Sequence, residues 1–212
     1  MIRRFLVLIT LCAIVIVGLS TGQRALHAET VKPAPLDQNE YLHGTFELAR
    51  HLDGFEKPLL SRGEFVISPQ NGLIWKTTFP FPGITVLEDD GIFTITPNGY
   101  RNAIASGSET RQFVRMISSV LSGNWDTLQS QFNIAENITQ SNTWEVVLTP
   151  STNSAVATQV NRIAASGDIF VKTVTIKKPS SDQDVITFDD QVVGMLPLPP
   201  EFAKLFTDGT PE

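Results

Sequence analysis

Short alternations of apolar and polar residues, each closed by a turn signal, fill most of this chain beyond residue 40 and constrain its fold more than anything else in it. Gly44 to Arg50 places Phe46 and Leu48 between polar neighbours, and Leu59 to Ser68 does the same with Phe65 and Ile67. Leu73 to Phe79 sets Leu73, Trp75, Thr77 and Phe79 against Ile74, Lys76 and Thr78. Ile84 to Glu88 and Ile92 to Thr96 flank Asp89-Asp90-Gly91, and Asp-Gly between apolar runs is a strong hairpin signal. Period two resumes at Thr143 to Leu148, Gln159 to Ala164, Ile169 to Lys177 and Asp184 to Val192. A side chain repeat of two is the repeat of a strand, because successive Cβ atoms point to opposite faces.

Only the middle of the chain changes period. Ser106-Gly107-Ser108-Glu109 has the spacing of a capping box, with a serine acceptor and a glutamate three residues on. Phe113, Met116, Ile117, Val120 and Leu121 follow at helical spacing, and Gly123 can end the helix in a left-handed conformation. A second short helix is expected to carry Trp125, Leu128 and Phe132, and a proline-led apolar turn with Phe202, Leu205 and Phe206 closes the chain. The sum is roughly ten strands with one helical insertion, a mainly β (α+β) protein. Without a βαβ rhythm, the sheet is expected to be antiparallel.

Several strands are apolar on both faces. Leu73 and Trp75 oppose Ile74, and Val171 opposes Phe170 and Val174. A sheet with one solvated face alternates more cleanly. Two arrangements account for this: helices packed on one face with ordinary exposed apolar side chains on the other, or a curved sheet whose concave face lines an apolar cavity.

The amino terminus reads as an address. Arg3 and Arg4 precede an apolar run from Phe5 to Leu19, and Leu26-His27-Ala28 supplies a cleavage site before Glu29, with Ala25 as the fallback. The run is about 15 residues, against the ~20 that span a bilayer, which argues against an uncleaved anchor. Residues 1–28 are therefore expected to be a signal peptide and residues 29–212 one exported domain, placed in a periplasm. The only cysteine, Cys12, lies in the leader, so the exported part has no disulfide, thiol nucleophile or cysteine-metal site. Its net charge is −9 against −6 for the whole chain, a poor basis for nucleic-acid binding, which needs Lys and Arg to displace counterions.

Searching for chemistry yields absences. His43 and His51 are eight residues apart and share no metal-ligand motif. Beyond residue 28 the chain has no G-x-S-x-G elbow and no phosphate-binding glycine loop. Adjacent acids at Asp89-Asp90 and Asp189-Asp190 do not form the facing pair that glycosidase chemistry requires. No catalytic residue, metal ligand or cofactor is expected, and the balance favours a binding or carrier module over an enzyme.

One ordered set of motifs is more specific. Ser61-Arg62-Gly63-Glu64-Phe65-Val66-Ile67-Ser68-Pro69 is followed by Gly72-Leu73-Ile74-Trp75-Lys76, then Pro80-Phe81-Pro82, then Val86-Leu87-Glu88-Asp89-Asp90-Gly91. Trp144-Glu145-Val146-Val147-Leu148-Thr149-Pro150 comes later, before the closing strands through Phe188. Taken in this order over about Gly44 to Phe188, these motifs resemble the LolA family of periplasmic outer-membrane lipoprotein carriers, in a divergent branch. The resemblance implies an incomplete antiparallel β-barrel closed by a helical lid over an apolar cavity for acyl chains. It implies a monomer that moves lipoproteins or other lipids between an inner-membrane exporter and an outer-membrane acceptor. A lipid- or lipoprotein-sensing regulatory module of the same shape is the alternative. On this basis the cavity is expected to be lined by Phe65, Ile67, Leu73, Trp75, Phe113, Ile117 and Trp144, although sequence alone does not fix which strand face is concave. In one respect the chain departs from the family pattern. Ser68 stands where the carrier proper has an arginine that helps hold the lid, which points to a different latch or none and to a cargo such as a free lipid, glycolipid or lipid-like pigment.

Overall fold

The computed structural model describes residues 35–138, 143–152 and 154–207. The expected signal peptide, residues 1–28, lies outside them. Eleven strands form one antiparallel sheet: β1 (Glu40–His51), β2 (Leu59–Ser68), β3 (Gly72–Phe79), β4 (Gly83–Glu88), β5 (Gly91–Ile95), β6 (Arg101–Ser106), β7 (Phe132–Ile138), β8 (Trp144–Pro150), β9 (Arg162–Gly167), β10 (Val171–Lys177) and β11 (Gln183–Met195). Helix α1 (Ser108–Leu121) and a 3-10 turn at Trp125–Leu128 separate β6 from β7, and α2 (Pro200–Phe206) follows β11.

The spatial order is β6-β5-β4-β3-β2-β1-β11-β10-β9-β8-β7. The first and last strands meet at the centre, and each half of the chain then winds outward by hairpins to an edge. The two edges, β6 and β7, are the strands that α1 and the 3-10 turn connect. A 14-residue helix is only about 21 Å long, so an eleven-stranded sheet must curl for that link to reach from edge to edge. The result is an open, curved sheet with a helix across its gap, the incomplete barrel with a lid that the sequence resemblance implies.

Curvature leaves marks in the register. The β1–β11 ladder slips between His43 and Thr45, and the β2–β3 ladder slips between Arg62 and Gly63. Glycine occupies both places because the backbones crowd. A Cβ on Gly63 would sit 1.9 Å from the Lys76 carbonyl oxygen, and one on Gly44 would sit 2.7 Å from that of Asp189.

The apolar residues are buried on both sides of these strands, not left exposed on one. Inward, Phe65, Ile67, Leu73 and Leu87 join α1 residues Val114, Met116, Val120 and Leu121 in the main core. Outward, Val66, Ile74 and Val86 are buried under the C-terminal segment, where Leu198, Phe202, Leu205 and Phe206 cover them. Full burial of such a side chain contributes roughly 1.5–3 kcal/mol, so the terminal segment is part of the fold. Arg101 ties it down. Its guanidinium lies 3.6 Å over the Phe93 ring, pairs with Glu88 and donates to the Phe206 carbonyl at 3.0 Å.

Three local expectations change. Ser106 ends β6, and the cap of α1 is Gly107, at φ 102°; Thr110 Oγ1 donates back to the Ser106 carbonyl. Phe132 opens strand β7, and only Trp125 and Leu128 belong to the short helical turn before it. Strand β6 was not among the segments read from the sequence. Its residues are mostly exposed, and an edge strand has no second neighbour to impose an apolar face.

Candidate functional site

Between the concave face and α1 lies a cavity of about 380 Å³. Its walls come from both halves of the chain. Leu48 of β1, Leu73 and Trp75 of β3, Thr85 and Leu87 of β4 and Ile92 of β5 form one side. Ile163 of β9, Val174 and Ile176 of β10, and Ile186 and Phe188 of β11 form the other. Met116, Ile117, Val120 and Leu121 of α1 close it. Thr85, Arg50 and Asp184 are its polar members. The floor is aromatic: the Trp75 indole stacks on Phe46 with centroids 3.7 Å apart and meets Phe188 edge-on at 6.3 Å, and Phe188 meets Phe65 edge-on at 5.1 Å.

The α1 sequence explains why the helix covers the cavity. Met116, Ile117, Val120 and Leu121 recur at helical spacing and share one face, while Arg111, Gln112 and Arg115 lie exposed. Hydrogen bonds fix the helix end to the following turn. Trp125 Nε1 donates to the Val120 carbonyl at 3.4 Å, and the Ser119 and Thr127 hydroxyls are 2.9 Å apart. Gly123, at φ 73°, reverses the chain there. Ser68 is buried and donates to Asn71 Oδ1 at 3.2 Å within its own turn.

Of the residues expected at the site, Leu73, Trp75 and Ile117 line this cavity. Phe65 lies behind the lining, reaching it through Phe188. Ile67 faces a neighbouring polar groove of about 320 Å³ between the β2–β3 turn and the outer flank of α1. Trp144 is buried in the opposite half, edge-on to Trp125 at 4.8 Å, with Nε1 donating to the Asp168 carbonyl. Of Phe113 only the backbone, within α1, belongs to the described residues.

Sequence reading missed the charged end of the cavity. Arg50 Nε donates to Asp184 Oδ1 at 2.8 Å and Nη2 donates to Oδ2 at 3.2 Å, while Lys178 Nζ reaches Oδ2 at 3.0 Å. Burial pushes the Asp184 carboxyl up, but the hydrogen bonds and charges of Arg50 and Lys178 outweigh it and hold the group below the ordinary carboxylate range. The same bond to Asp184 raises Arg50 above its usual value. Among the described residues no group of histidines, cysteines or carboxylates is placed to hold a metal ion.

No family model matches the chain. No curated protein matches it either. Among solved structures it is similar to a LolA superfamily protein, NE2245, from Nitrosomonas europaea, at 10% identity and TM-score 0.44, over 84% of this chain and 94% of that one. It is also similar to an outer membrane lipoprotein-sorting protein domain from Vibrio parahaemolyticus, at 7% identity and TM-score 0.41, over 82% and 94%. A DUF1329 family protein from Desulfovibrio piger follows at 10% identity and TM-score 0.36, over 73% and 85%. At identities and TM-scores this low the likeness decides nothing about function.

Proposed function

We propose that this protein is a periplasmic lipid carrier, which takes acyl chains into the cavity under α1 and moves them through water between two membranes. The observation that carries the reading is the cavity itself: about 380 Å³ of empty space, walled by apolar side chains from seven strands and a helix. A packed core has few voids larger than a water molecule, and apolar voids cost stability in proportion to their volume. Space of this size therefore calls for an occupant, and ligand sites begin at about 300 Å³. The order of strand motifs from Ser61 to Pro150, and the apolar leader at residues 5–19, support the same reading. No nucleophile, acid–base pair or metal set is needed for such work. Its partners are a lipid or lipoprotein donor and an acceptor, which the protein serves as a monomer.

The test is to purify the protein from the periplasm of an expressing cell, extract it into organic solvent and analyse the extract by mass spectrometry, then titrate delipidated protein with a fluorescent fatty acid. Stoichiometric lipid in the extract and saturable one-to-one probe binding are expected. A clean extract together with no probe binding refutes the carrier.

A further inference from the structure

The cavity wall has a direction. On β1 the inward residues run Phe46, Leu48, Arg50; on β11 they run Phe188, Ile186, Asp184; on β10 and just beyond they run Val174, Ile176, Lys178. Pairing brings the three series into register: Phe46 faces Phe188, Leu48 faces Ile186, Arg50 faces Asp184, and Ile176 faces Asp184 from the other side. Three adjacent strands thus pass from apolar to charged at the same level. The cavity is apolar within and carries an ionic rim at one end, the arrangement of an amphiphile with its chain inside and its head at the mouth.

The sign of that head follows from the rim's own bonds. Asp184 is buried and engaged by both cations, whereas the Arg50 and Lys178 side chains are 45% and 31% exposed. Arg50 Nη1 and two of the three Lys178 protons have no partner among the described residues. Asp182, the next carboxylate along the chain, already accepts from the Asp53 amide at 3.0 Å and from Ser180 Oγ at 2.8 Å. Asp182 stays charged and acts on both cations through space, but among the described residues Asp184 is the carboxylate that contacts them, so the remaining donors of Arg50 and Lys178 are left for an anionic head. Hydrogen bonds between charged partners are about twice as strong as neutral ones, and a guanidinium suits a carboxylate or phosphate in particular.

We infer that the rim of Arg50, Lys178 and Asp184 is a head-group site, and that the ligand is a single-chain amphiphile with an anionic head. This rests on the carrier reading above and adds the head group to it. At about 380 Å³ the cavity is near the small end of ligand sites, about 300–1,000 Å³, which suits one chain rather than three.

Dodecanoate, dodecanol and dodecyltrimethylammonium share a chain and differ in head charge. Titrated calorimetrically into the purified protein at neutral pH and low salt, dodecanoate should bind about tenfold or more tighter than dodecanol, with the cationic probe weakest. Arg50→Gln should bring the dodecanoate-to-dodecanol ratio toward one. Asp184→Asn should move it the other way, several-fold up, because it releases both cations. A merely structural ion pair predicts that both variants weaken every probe alike. Should Arg50→Gln not fold, Lys178→Gln, which leaves the Arg50–Asp184 pair in place, should still lower the ratio. Equal binding of the three probes by the wild type, or a fall in dodecanoate affinity in Asp184→Asn, overturns the head-group site and leaves the carrier standing. No binding of any probe overturns both.

Discussion

The cavity's volume makes a prediction about chain length. Burying one methylene is worth about 0.8 kcal/mol, and 1.4 kcal/mol is tenfold in affinity, so each carbon added to a ligand should tighten binding about fourfold while there is room. A space of about 380 Å³, near the small end of ligand sites, sets where the room ends. Across fatty acids of six to eighteen carbons, each below its aggregation threshold, log affinity should therefore rise linearly by about three decades or more and then flatten near twelve to fourteen carbons. Trp75 is part of the wall, so its emission reports occupancy, and calorimetry provides the heat and stoichiometry. Replacing Ile117 on the lid with Trp should move the break about two carbons shorter, because the added ring takes up the space the chain would use. A slope that continues unchanged to eighteen carbons would show that the chain lies in an open groove. A flat profile from the start would show that chains do not enter at all.

Other consequences follow from the packing and the ionic rim. Gly63→Ala brings a methyl group against the Lys76 backbone and should cost about 2 kcal/mol or more in a thermal or denaturant melt; an unchanged melt would mean that the sheet does not crowd at that bend. Leu148→Ala, fully buried and outside the cavity wall, should cost about 2–5 kcal/mol and leave the break in the chain-length profile in place. Because the Asp184 carboxyl is held below its ordinary value when folded, the stability it adds is present above the ordinary carboxylate range and lost as pH falls through that lower folded value. The difference in melting between wild type and Asp184→Asn should accordingly close on acidification, and a difference independent of pH would contradict the assignment.

Much of the architecture was legible because period two is a local property. Phe65 with Ile67, and Leu73 with Trp75, could each be put on one face of their own strand from spacing alone, and the Asp89-Asp90 hairpin and the α1 face follow from neighbours in sequence. What spacing does not encode is which strands touch. Arg50 and Asp184 are 134 residues apart and meet only because β1 and β11 pair at the centre of the sheet. The signal that could have found them is the charged residue closing each of three apolar alternations, Phe46-Leu48-Arg50, Asp184-Ile186-Phe188 and Val174-Ile176-Lys178. Strand β7 was hidden by accident of spacing, since Trp125, Leu128 and Phe132 are as far apart as residues on one helix face. The covering of Ile74 and Val66 by the C-terminal segment was equally out of reach, because the apolar turn after Pro200 gives no indication of where it docks.

Carriage of a lipid in this cavity requires that an acyl chain lie against Trp75. Bromine on an acyl chain quenches tryptophan on contact, and of the three tryptophans only Trp75 lines the cavity, while Trp125 and Trp144 pack against each other elsewhere in the core. Titration with a dibrominated fatty acid should remove the Trp75 share of wild-type emission with one-to-one saturation, and should leave the emission of Trp75→Phe protein nearly unchanged although the acid still binds. Equal quenching in the two proteins, or none in either, would contradict it.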